Sequence, residues 1–198
     1  MKVGIIGAGF TGLSAAYYLS RNGHSVEIFE RGDKPGGLAI GYKEKGWTWT
    51  LESHYHHWFT NDKNILALAD ALGHKVEIRR PKTSSFIDGG IFQLDSPVSL
   101  LAFPKLSIID RIRTGISLGM LRYNPLWQPL EHFHAQSYLE RSMGKKAYET
   151  IWEPLMKNKL GKYAREVSLA WFWARVYKRT SSLAYPEGGF LSFAEHLQ

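Results

Sequence analysis

Residues 2–12 read Lys2-Val3-Gly4-Ile5-Ile6-Gly7-Ala8-Gly9-Phe10-Thr11-Gly12, and after an amphipathic run the chain continues Ser25-Val26-Glu27-Ile28-Phe29-Glu30. Val3, Ile5 and Ile6 form a short apolar run that suits a buried parallel strand. Gly7 allows a tight turn out of it, Gly9 lets a diphosphate approach the backbone, and Gly12 lets the following helix pack close to the strands. Leu13, Ala16 and Tyr17 lie at i, i+3 and i+4, Ala15 and Leu19 widen that face, and Gly23 suits the position just past a helix end. Glu30 follows Gly12 by 18 residues, the usual separation for a carboxylate that accepts from ribose hydroxyls. Strand, glycine turn, helix, strand and acid together predict a dinucleotide-binding βαβ unit rather than an ordinary glycine loop. The helix N-terminus brings free N–H groups and the positive end of its dipole to the phosphates.

A second glycine pair, Gly36-Gly37, follows Glu30-Arg31-Gly32-Asp33-Lys34-Pro35. A backbone that passes close to a phosphate or ribose needs such residues. With Gly7, Gly9, Gly12, Glu30, Gly36 and Gly37 in this order, the chain resembles the superfamily of FAD-dependent amine oxidases, protoporphyrinogen oxidases and phytoene desaturases. Where that family often carries arginine, this chain has Lys34 before the pair and Leu38 after it. The resemblance implies an α/β fold: a Rossmann-like FAD-binding domain with an inserted, mainly helical substrate domain. It implies FAD, with Gly7, Gly9 and Gly12 at the diphosphate, Ala8, Phe10 and Thr11 beside them, and Glu30 with Arg31 at the adenosine ribose. Gly36, Gly37, Leu38, Ser53, His54 and Tyr55 would lie toward the flavin. Family members are considerably longer, with further strands and a C-terminal glycine-acid motif, so the chain reads as a truncated, first portion of that architecture.

The chain has 198 residues, of which 44% are hydrophobic and 22% charged, which are globular values. Its net charge of +7 suits anionic partners: a dinucleotide, an acidic substrate or anionic lipid. No nucleic-acid motif accompanies that charge, so no nucleic acid is expected. With no cysteine, disulfides, thiolate metal sites and thiol catalysis are excluded. A reducing, cytoplasmic setting fits. No run of 18 uncharged apolar residues exists to span a bilayer.

Trp47-Thr48-Trp49-Thr50-Leu51 alternates like a strand. In Glu52-Ser53-His54-Tyr55-His56-His57-Trp58 an extended backbone puts His54 and His56 on one face and His57 on the other, which disfavours a metal triad. The resemblance instead places this segment beside the flavin ring. Its wording, continued by Thr60-Asn61-Asp62, is also similar to UDP-galactopyranose mutases. Asn61 or Asp62 can cap a helix over Ile65–Leu72, Lys75–Arg80 reads as a strand, and Asp88-Gly89-Gly90 sits between strand-like runs as a hairpin turn.

From about Pro97 the pattern is helical, and a domain boundary is expected near residue 80. The expected organisation is residues 1–80 as the first FAD segment, 81–184 as the substrate domain and 185–198 as a return segment. Leu106–Leu121 is amphipathic with Arg111, Arg113 and Arg122 nearby. Its first reading is a core-packing helix with a basic outer face; the second is peripheral contact with the inner face of a membrane, as some members of the resembled family make through this domain. Trp152–Leu155 and Trp171–Arg175 are aromatic runs that suit core before substrate pocket. Tyr185-Pro186-Glu187-Gly188-Gly189-Phe190 reads as a turn into a final helix, Leu191–Leu197.

The function expected from this reading is an FAD-dependent oxidoreductase that takes hydride from a small organic substrate. Its rivals are a flavin-dependent UDP-sugar mutase, a cofactor-binding fragment without activity of its own, and a protein that uses NAD alone.

Overall fold

The computed structural model describes residues 1–198, which divide into two compact units, 1–80 with 182–198 and 81–181. Unit 1 opens with β1 (Lys2–Ile6), α1 (Phe10–Arg21) and β2 (Ser25–Phe29). The two strands pair in parallel with Lys2 opposite Ser25 and Ile6 opposite Phe29, and α1 is the crossover between them. Helix α1 ends in a Schellman closure. The His24 amide donates to the Leu19 carbonyl and the Gly23 amide to that of Ser20, with Gly23 at φ +78°.

The strands themselves are not buried as the apolar run predicted. Ile6 is 94% exposed and Phe29 54%, because β1 pairs with β2 alone and only alternate residues of each strand are shielded.

Short strands β3 (Gly41–Tyr42) and β4 (Leu51–Glu52) pair antiparallel. The expected strand over 47–51 is irregular, with a bend at Thr48 and Trp49, except at Leu51, since Thr50 turns instead to the Gly188 carbonyl, to which both its amide and its hydroxyl donate. Then come β5 (Trp58–Phe59), α2 (Lys63–Ala71) and β6 (Val76–Arg79). Asp62 sits at the α2 N-cap but does not cap it; its carboxylate accepts from the Phe59 amide at 2.8 Å. The C-terminal segment returns to this unit as β9 (Leu183–Pro186) and α9 (Phe190–His196). Strand β9 lies between β5 and β6, antiparallel to both. The core of unit 1 is an aromatic knot in which Trp58 meets Phe190 and Phe193 edge-on at 5.4 and 5.1 Å, over Leu13, Leu68 and Ala184.

Unit 2 contains the hairpin β7 (Ser84–Ile87) and β8 (Gly90–Gln93), whose turn residues Asp88 and Gly89 both have positive φ, the two-residue turn that matches strand twist. Its helices are α3 (Pro97–Leu101), α4 (Ile108–Tyr123), α5 (Ala135–Met143), α6 (Lys145–Ala147), α7 (Glu153–Leu160) and α8 (Leu169–Tyr177). Between α6 and α7 the backbone widens to a π-turn over Tyr148–Trp152, just ahead of Pro154, which has no N–H to bond back into an α-turn. Leu139, Met143, Met156, Leu169, Phe172 and Trp173 fill the core. The aromatic runs are therefore packing: Phe172 meets Trp152 edge-on at 4.9 Å, and Trp173 donates from its indole to the Asn124 carbonyl at 2.8 Å. No helix is long and apolar enough to cross a membrane.

Candidate functional site

The glycines singled out in the sequence meet at one corner of unit 1. The Gly7 amide donates to the Phe29 carbonyl at 2.7 Å, which turns the chain out of β1 and across the end of β2. A Cβ on Gly12 would collide with the Gly7 carbonyl and stand 3.2 Å from the Ile5 side chain, so only glycine lets α1 start this close to β1.

Gly36, at φ +115°, donates to the Ala8 carbonyl at 2.8 Å and forms an isolated parallel bridge with Gly9. A Cβ on Gly37 would sit 3.2 Å from the Gly9 Cα. The second glycine pair lets one main chain approach another, Gly36-Gly37 against Gly9.

The result is a corner bare of side chains above the N-terminus of α1. Gly9 is the N-cap and offers no side-chain cap, the first turn carries no acid, and the first intrahelical bond is Leu13 to Gly9. The amides of Phe10, Thr11 and Gly12 consequently have no partner within the helix.

Glu30 faces this corner. Its carboxylate accepts from the Ala8 amide at 2.6 Å and from the Gly32 amide at 2.7 Å. Those two amides, Gly32 first, hold it below the usual carboxylate range. It is ionised at neutral pH, so the corner combines main-chain donors with one fixed negative acceptor.

The remaining positions divide. Ala8 is buried, and Thr11, Arg31 and Leu38 are exposed. Phe10 turns inward, stacked on Phe193 at 5.6 Å and edge-on to Phe190 at 6.1 Å, so its ring is core. Ser53, His54 and Tyr55 are exposed, with the Ser53 amide donating to the Ile40 carbonyl at 3.0 Å. The histidines beyond them go to different neighbours: His56 packs near Phe190 at 5.8 Å, and His57 near Phe59 at 4.9 Å.

Sequence reasoning missed Glu52. It is 8% exposed, it accepts from the Phe190 amide at 3.1 Å, and the Tyr185 hydroxyl donates to it. Burial first, and then this carboxylate, push the Tyr185 phenol well above its usual value. This buried acid fastens the returning segment 185–190 to β4. The signal that could have found it is the pairing of a lone acid after an alternating run with a distant Tyr-x-x-Gly-Gly.

Residues 5–72 match the family of NAD(P)-binding Rossmann-like domains. The mitochondrial protoporphyrinogen oxidase of Nicotiana tabacum is 27% identical over 168 residues, which cover 81% of this chain and 32% of that protein. The 15-cis-phytoene desaturase of Synechococcus elongatus is 40% identical over 68 residues, 34% of this chain and 14% of that one. Among solved structures, an oxidoreductase from Methanosarcina mazei superposes with a TM-score of 0.71 at 22% identity, over 100% of this chain and 48% of that one. Reduced UDP-galactopyranose mutase follows at 0.70 and 18%, over 99% and 46%.

The fold of residues 5–72 is of the Rossmann type, and a mainly helical unit accompanies it. Within that class, the resemblance to the superfamily of amine oxidases, protoporphyrinogen oxidases and phytoene desaturases holds. The chain spans about a third of the tobacco protein and about half of the solved chains.

Proposed function

We propose that unit 1 holds FAD and that the chain forms part of an FAD-dependent oxidoreductase acting on a small organic molecule. The observation that carries this is the bare glycine corner at an uncapped helix start with an ionised Glu30 beside it. The donor set fits the group. The amides of Phe10, Thr11 and Gly12 suit a diphosphate, which brings charge to the positive end of the α1 dipole. An ionised carboxylate has about four acceptor sites, so Glu30 keeps room for ribose hydroxyls while it accepts from Ala8 and Gly32. Gly36 and Gly37 keep the second wall free of side chains, and exposed Ser53, His54 and Tyr55 offer polar tips for the ring system. When bound, the flavin supplies the hydride-accepting chemistry, and the chain's own part is to bind, orient and exclude water.

The test is titration of the purified chain with FAD and, separately, with NAD, followed by quenching of flavin or protein fluorescence. FAD binding that Glu30→Ala weakens by about tenfold, the worth of one or two charge-assisted hydrogen bonds, is expected. NAD binding without FAD binding, or no difference between Glu30→Ala and the parent, overturns it. The likeness to UDP-galactopyranose mutase lies in the fold, and binding of UDP by the same chain would shift the reading to a nucleotide-sugar mutase.

A further inference from the structure

The pair Gly188-Gly189 has no part in the glycine corner, yet its second member has to be glycine. Gly189 has φ +96°, and a Cβ on it would collide with the Thr50 hydroxyl and stand 3.0 Å from the Thr50 carbonyl oxygen. The turn it makes carries the chain from β9 into α9 and sets the Phe190 amide on the Glu52 carboxylate at 3.1 Å. Phe190 is thereby buried at a fixed place between two stretches of unit 1 that are far from it in sequence.

On one side the Phe190 ring meets Phe10 edge-on at 6.1 Å. Phe10 is the first residue of α1, and its amide is the first of the free donors at the corner. On the other side the ring meets His56 at 5.8 Å. A carbonyl can only accept, so the His56 Nδ1 carries a proton and donates it to the His54 carbonyl at 2.5 Å. That bond ties His56 to His54, while the side chains of His54 and Tyr55 stay exposed. Trp58 at 5.4 Å and Tyr185 at 5.2 Å also pack on the Phe190 ring, so it cannot move toward one neighbour without unpacking the others.

The two sides are supported unequally. The corner is braced by its own main-chain bonds, Gly7 to Phe29 and Gly36 to Ala8, and Phe10 also stacks on Phe193 at 5.6 Å. The segment 53–57 is tied by main chain at its ends, through the Ser53 amide to the Ile40 carbonyl and through β5 to β9. Between those ends, the ring of His56 against Phe190 is its link to the corner.

On the reading that unit 1 holds FAD, on which this inference rests, we propose that Phe190 is a positioning residue that holds the segment 53–57 in register with the glycine corner. A ligand bound only by its diphosphate and adenosine needs the corner alone. A ligand whose far ring also touches His54 and Tyr55 needs both at a fixed separation. A rigid link between them spares the ordering that binding would otherwise require.

The test is calorimetric titration of the purified chain with FAD and with ADP, which carries the adenosine and diphosphate but no flavin. Phe190→Leu keeps the place apolar and removes the ring. It should weaken FAD about tenfold and leave ADP within about twofold. His56→Phe keeps a ring against Phe190 and removes the bond to the His54 carbonyl, and it should move the ratio of the two affinities the same way by about threefold. Leu68→Ala, which opens a cavity in the same core, should lower the urea unfolding midpoint and leave that ratio unchanged. Equal losses of FAD and ADP in Phe190→Leu, the same change of ratio in Leu68→Ala, or an unchanged ratio in His56→Phe would each make Phe190 an ordinary core residue and overturn the proposal. A parent chain that binds ADP but no FAD overturns the cofactor reading itself, a failure distinct from a parent that binds FAD with an affinity Phe190→Leu does not alter.

Discussion

Helices α1 and α4 are opposites. Helix α1 is closed along its side, where Leu13 is fully buried, and open at its start, where glycine offers no cap and no acid stands in the first turn. Helix α4 is closed at its start, where the Ser107 hydroxyl accepts from the Asp110 amide at 3.1 Å and Asp110 lies in the first turn, and open along its side, where Ile109, Ile112, Ile116, Met120 and Tyr123 are exposed. The contrast teaches where a helix keeps its unused interactions. An uncapped end holds main-chain N–H groups for an anion, and a helix turned by its neighbours keeps apolar side chains exposed and a buried hydroxyl, that of Thr114, without a partner.

The largest effect should come from closing the open end. Gly12→Val places side-chain atoms against the Gly7 carbonyl and Ile5, so urea unfolding should show a loss of about 3 kcal/mol, the upper range for overpacking, together with loss of FAD binding. A stable Gly12→Val protein that still binds dinucleotide would break the contrast at its root.

Next is the buried acid that ties the return segment down. Glu52→Ala removes the acceptor of the Tyr185 hydroxyl and the Phe190 amide and should cost about 2 kcal/mol in the same assay. The ultraviolet titration of tyrosine should then show a phenol ionising at lower pH than before, because part of the upward push on Tyr185 comes from that carboxylate.

Helix α4, which buries Thr114 and Ser117 and exposes its isoleucines, predicts a change of opposite sign. Thr114→Val swaps a buried, partnerless hydroxyl for a methyl of similar shape, and a gain of about 1 kcal/mol is expected. A loss of stability would mean that the hydroxyl is satisfied and that α4 is oriented by its polar side after all.

The smallest effect is a pH dependence in unit 1. A His74 ring nitrogen lies 2.9 Å from that of His196, the other faces the Glu187 carbonyl at 3.1 Å, and Lys75 pairs with the Glu187 carboxylate. Burial, the largest cause, lowers the His74 value below its ordinary 6.5, against the Glu187 carbonyl and carboxylate, which raise it. The unfolded chain then takes up the proton first. Stability should be at its full value above pH 6.5 and fall as the pH drops through the lowered folded value. His74→Gln should flatten that slope in unfolding midpoints measured across this range.

Local rules made much of unit 1, and one hairpin of unit 2, legible. Gly7, Gly9, Gly12, Glu30 and the flanking strands predicted the βαβ unit, and Asp88-Gly89 the hairpin, because turn residues and short periodicities act within a few positions of one another. The strand expected over 47–51 failed because Thr50 has a better partner in Gly188, 138 positions away. Tyr185 and Pro186 looked like a turn and are strand, because β5 and β6 supply both ladders.

By itself, the amino-acid sequence determined the βαβ opening and the turn of the hairpin, since the spacing of glycines and apolar residues encodes them locally. Tertiary structure alone decided that Gly36-Gly37 abuts Gly9, that Glu52 clasps Tyr185 and the Phe190 amide, and that α4 shows its isoleucines to solvent. Periodicity sets a stripe on a helix; only the neighbours that cover it decide which way that stripe points.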